Sequence, residues 1–153
     1  MESTNIDKLV KKLIFVYYVV YFLAVLSAVL GYYLTFKGNL FIDPQSSTGI
    51  TLTSIFILYI IGSIPLTLGG FHLMTKKWAV LDNLNEKIVK YQKGAILRLI
   101  LIGINVAIGV FLFYITHSQS MIFCAGIAAI ALFFCKPSGA KVISELQMEQ
   151  AED

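Results

Sequence analysis

Acidic residues are absent from every long apolar stretch of this sequence, and charge of either sign is scarce: 14% of the 153 residues are charged, against 58% hydrophobic. A water-soluble chain interleaves its apolar residues with polar ones at helix or strand period. Here runs of about twenty residues pass without a charge, which excludes an ordinary soluble domain. The lack of a carboxylate inside those runs also argues against a proton-coupled carrier, which normally keeps one there.

Other shortages exclude other chemistries. The two cysteines, Cys124 and Cys135, form no CxxC pair. On a straight helix they share a face about 16 Å apart, so they read as apolar packing residues and not as a redox couple. The two histidines, His72 and His117, fall at opposite ends of the spans, too far apart to converge on a metal. Ser63 and Ser120 have no evident base, and no glycine-rich phosphate loop follows a strand. The expectation is a chain with no catalytic residue, no cofactor and no metal, and nothing in it points to nucleic acid.

What is present is an all-α, polytopic membrane pattern with four spans. They run from Leu13 to Leu34, Ile50 to Met74, Ala95 to Thr116 and Ser118 to Cys135, against the roughly 20 residues that cross about 30 Å of hydrocarbon. The fourth is short, and is expected to begin inside the turn after Thr116. The first follows a basic start, Lys8, Lys11 and Lys12, but is too long for the apolar region of a secretion signal, of about 7 to 15 residues, and is expected to stay in the protein.

The polar stretch from residue 75 to 94 organises the rest as a link between two membrane hairpins. Eleven of the twelve basic residues fall at the start, in this link with Arg98, or in the tail from 136 to 153; only Lys37 falls on the other side. Positive residues gather on the cytoplasmic side, so both termini and the link are expected there. The location implied is a cell membrane of the bacterial inner-membrane kind.

Within the link, Trp78, Leu81, Leu84, Ile88 and Tyr91 recur at helical spacing. That predicts an amphipathic helix whose Lys76, Lys77, Trp78, Lys87, Lys90 and Lys93 contact anionic lipid headgroups or a partner. A helical extension packed on other protein segments is the alternative. In the first span Tyr17, Tyr21, Ala24, Ala28, Gly31 and Thr35 share a face of small and aromatic residues, expected to meet another helix of the same chain, with a homo-oligomer face as the alternative.

Asp43-Pro44 ends any helix in the first loop, and Ser46 to Thr48 offers an N-cap. Pro65 removes one backbone donor from the second span, where a kink is expected. In the third, Tyr91, Gly94, Arg98, Asn105, Gly109 and Thr116 form one polar and small stripe. Asn105 is expected to bond across to another helix, and Arg98 to snorkel to the inner interface. A shift of 81 residues lays the first span over the third, matching YYLT (32 to 35) to FYIT (113 to 116), as in a parallel repeat. The tail is expected to form at most a short amphipathic helix with an acidic end.

Two functional classes follow. One is an accessory or structural membrane protein with a basic inner face that meets lipid or a membrane-protein partner. The other is an oligomeric channel or carrier for a neutral or hydrophobic solute, lined by Asn105, Thr116 and glycines.

Overall fold

The computed structural model describes residues 2–147, and among them there are five helices and no strand: α1 (Glu2–Phe36), α2 (Ser47–Ala79), α3 (Leu84–Thr116), α4 (Gln119–Phe134) and α5 (Gly139–Glu145). Three of these helices are long and apolar enough to cross a membrane, or four spans result if α4 and α5, bent by 84° across a short break, count as one. The acidic end of the tail, Glu149, Glu152 and Asp153, lies outside the described residues.

The first three helices are longer than a bilayer requires. At 35, 33 and 33 residues they extend roughly 50 Å, against about 30 Å of hydrocarbon. The surplus of all three falls at one end: the start of α1, the end of α2 and the start of α3. There Ile6, Leu9 and Leu13 of α1 recur at helical spacing. So do Ile88, Tyr91 and Ala95 of α3, and together with Phe71, Val142 and Leu146 they form an apolar cluster of their own. A second, larger cluster fills the rest of the bundle, with Ile60, Leu99, Ile102, Met121, Ala128 and Leu132 at its centre.

Cross-helix contacts fix the directions. Val20 faces Gly103, Gly31 faces Tyr114, the Ser27 hydroxyl donates to the Ala107 carbonyl at 2.7 Å and that of Thr35 to the Tyr114 carbonyl at 3.0 Å. Residue numbers rise together, so α1 and α3 are parallel neighbours. The small-residue face of α1 is therefore an internal contact. At Gly103 a methyl group would collide with Val20, and at Gly109 it would lie 2.9 Å from the Ala125 side chain. Both glycines let neighbouring helices approach closely. The positions matched by the 81-residue shift lie at the same level, and the two threonines bond alike: Thr35 back to the Gly31 carbonyl and Thr116 back to that of Leu112, each at 2.8 Å. α2 runs opposite to α3, pairing Ser63 with Asn105 and Trp78 with Gly94.

The ends carry the expected caps with one departure. Ser46 caps α2 by accepting from the Gly49 amide at 3.0 Å. His117 ends α3 in the left-handed region at φ 51°, and the fourth helix starts inside that turn. Pro65 is accommodated within α2, which continues on both sides of it. The single amphipathic helix expected from Trp78 to Tyr91 is not formed. α2 stops at Ala79, four residues turn, and Asn83 caps α3 by accepting from the Asn85 and Glu86 amides at 3.0 and 3.4 Å. A short polar side chain that bonds forward to the backbone competes with continued helix, and Asp82-Asn83 supplies it here. The stripe survives as two halves folded against each other. Ile88 and Tyr91 are buried in protein, and Trp78 and Leu84 pack on the same cluster.

Candidate functional site around buried Arg98

The lysines predicted for lipid or partner contact are dispersed. Lys76 and Lys77 are exposed in the last turn of α2, where positive charge suits the helix dipole. Lys93 is exposed and Lys87 partly covered, while Lys90 pairs with Glu86 at 2.6 Å across one turn. Trp78 lies over Gly94 and meets Phe71 edge to face at 6.1 Å, so its ring is a packing element as well as a surface one. Lys8 and Lys12 join Asn5, Asn85 and Gln92 along a separate cleft between the starts of α1 and α3.

The structure draws the chemistry together around Arg98. After Phe134 the sequence Lys136-Pro137-Ser138-Gly139 cannot continue a helix. The Ser138 hydroxyl accepts from the Lys141 amide at 3.3 Å and starts α5 in a new direction. The Lys141 ammonium reaches back to the carbonyl of Phe134. Val142 and Leu146 are both 0% exposed, inserted among residues of α1, α2 and α3. Glu145 is carried with them to the mouth of the bundle.

There the Tyr91 hydroxyl donates to Glu145 Oε2 at 2.5 Å, and Arg98 Nη1 lies 3.8 Å from Oε1. The guanidinium carbon stands 3.8 Å from the centre of the Phe71 ring, and Phe71 meets Tyr91 at 5.6 Å. Arg98 does not snorkel out to water as expected. It is 7% exposed, held against the Phe71 ring of α2 and beside Glu145 of α5. The 3.8 Å separation is longer than a hydrogen bond, and Arg98 Nε is buried with no partner among the described residues. A buried cation stacked on an aromatic face and near a carboxylate gains from both. Its hydrogen-bonding capacity nevertheless remains partly unused.

Arg98 also forms part of the wall of a groove of about 210 Å³ between α2 and α3. Leu66, Met74, Leu97 and Leu101 supply apolar walls, and Thr67 and Gly70 the floor on the α2 side. Gly70 has nothing within 4 Å of where a side chain would begin.

The second predicted polar residue, Asn105, is 1% exposed and donates its amide to the Ser63 hydroxyl at 2.9 Å. The expected interhelical bond is thus formed, to α2. Its carbonyl oxygen has no partner among the described residues. Thr116, 0% exposed, donates its hydroxyl to the Leu112 carbonyl of its own helix and accepts from the Ser118 amide in the turn that follows. Cys124 and Cys135 are free and buried, as apolar packing residues should be. Glu145 escaped the sequence reading, although a readable signal existed: Val142 and Leu146 flank it at helical spacing directly after a proline break. A search of protein-family models, curated proteins and solved structures found no match to this chain.

Proposed function

We propose that this chain is a small accessory or structural protein of the cytoplasmic membrane, with four spans, both termini and the residue 75–94 segment on the cytoplasmic side, and a basic face there that meets anionic lipid or a protein partner. α4, at 16 residues, covers about 24 Å and serves as a span with its flanking turns. The observation that carries the reading is the filled interior. Ile60, Leu99, Ile102, Met121, Ala128 and Leu132 occupy the centre of the bundle, and Asn105 is bonded to Ser63 instead of facing a void. A solute pathway through one copy needs polar groups turned toward open space, and these are turned into packed core. The test is flux: the protein reconstituted in sealed vesicles should leave the permeation of glycerol and of a small apolar dye unchanged. Flux that rises with protein content and is lost on Asn105→Leu would replace this reading with the channel one.

A further inference from the structure

Arg98 poses a specific physical problem. It is 7% exposed, its nearest carboxylate oxygen is beyond hydrogen-bond length, and its Nε has no partner among the described residues. A buried guanidinium is stable when its donors are satisfied. The preferred acceptors are carboxylates and phosphates, which its planar fork meets with two parallel bonds.

The depth of Arg98 selects between sources of such an acceptor. Eighteen residues separate it from Thr116, where α3 ends. That is roughly 27 Å of helix against about 30 Å of hydrocarbon. With Thr116 at one headgroup level, Arg98 is at the other. The groove beside it opens sideways between α2 and α3 and has apolar walls, which suit a hydrocarbon chain and not a dissolved ion. Gly70 keeps the groove open, since nothing lies within 4 Å of where its side chain would begin.

We propose that this groove is a binding site for one acidic phospholipid of the leaflet at the basic end, its phosphate taken by Arg98 and an acyl chain lying along Leu66, Met74, Leu97 and Leu101. Glu145 leaves donors of the guanidinium unsatisfied, because its carboxylate accepts from Tyr91 and stands 3.8 Å from Arg98 Nη1. The inference rests on the membrane-spanning reading but not on the exposed lysines, which lie outside the groove.

Trp78, the sole tryptophan of the chain, provides the probe, since it touches Gly94 and Phe71 of the groove wall. Its fluorescence would be measured in bilayers that contain a small fraction of lipid with brominated acyl chains, either phosphatidylglycerol or phosphatidylcholine. The expected result is stronger quenching by the acidic lipid, fitted by an enrichment of about tenfold at the site, equivalent to about 1.4 kcal/mol. Gly70→Leu should abolish that preference by filling the groove, and Leu97→Phe should reduce it. Gly69→Leu should keep it, because Gly69 also meets nothing within 4 Å but is not part of the groove wall. Changing Lys87, Lys90 and Lys93 together to Gln should keep it too. Equal quenching by the two lipids, or a preference that survives Gly70→Leu, overturns the proposal. A preference lost in the lysine variant and kept in Gly70→Leu would also overturn it, while leaving the basic face as a lipid contact.

Discussion

Replacing Glu145 with Gln should loosen α5 from the bundle, because it removes the one described carboxylate near a buried guanidinium while keeping an acceptor for Tyr91. Breaking a buried ion pair by removing one partner costs about 3 to 5 kcal/mol when both are fully desolvated. Glu145 retains 24% of its side-chain exposure and sits 3.8 Å from Arg98, so solvent and separation weaken the pair. The phenyl ring under Arg98 remains, and it holds part of the cation's stabilisation. The expected cost is therefore about 1 to 2 kcal/mol. Tyr91→Phe should cost about 1 kcal/mol by deleting a hydrogen bond to the same carboxylate. The double variant should cost less than the two together, since both act on one group. Hydrogen exchange over residues 139–147 is the direct assay, because α5 can open without unfolding the spans. Titration with a denaturing detergent then gives the global cost. Unchanged exchange in Glu145→Gln would refute the idea that the ion pair holds the helix, and would leave the burial of Val142 and Leu146 as the whole of its attachment.

Several other perturbations separate contacts that the bundle uses from residues it leaves open. Asn105→Leu should cost about 0.5 to 2 kcal/mol, and a cycle with Ser63→Ala should show coupling; additive losses would mean that the 2.9 Å contact carries no energy. Gly109→Val should cost about 1 to 3 kcal/mol by forcing α3 from α4, whereas Gly62→Ala, with nothing within 4 Å, should be neutral or slightly stabilising. Detergent unfolding of both variants checks the contrast, which fails if they behave alike. Buried Cys124 and Cys135 should react with a bulky maleimide only after denaturation; rapid labelling of the native protein would show that α4 is not packed as described.

Much of this architecture is legible in the amino-acid sequence. Charge-free runs mark the long helices, the face Tyr17, Ala24, Gly31 and Thr35 marks the contact with α3, and Asn105 marks an interhelical bond. What could not be read was how far the helices run past the apolar windows. Hydropathy reports only where a segment is apolar all round. The extension of α1 from Glu2 is held by a one-sided stripe, Ile6, Leu9 and Leu13, that packs on protein. The break at residues 80–83 was masked for a related reason. The apolar spacing from Trp78 to Tyr91 is regular through the turn, and only the cap at Asn83 interrupts it. The setting of Arg98 was the least legible part, because it depends on a seven-residue helix returning from the far end of the chain. A lone arginine next to a span reads as a snorkelling residue when the element that covers it is so short.

The orientation of the bundle in its membrane underlies the functional reading and both surfaces proposed for lipid. It is tested most directly by single cysteines placed at the exposed positions Gln45 and Asn85, with Cys124 and Cys135 replaced by Ala, in sealed right-side-out vesicles. A membrane-impermeant maleimide should label position 45 at once and position 85 only after the vesicles are opened. Labelling of both positions in intact vesicles, or of neither, would contradict the four-span arrangement with the basic end inside.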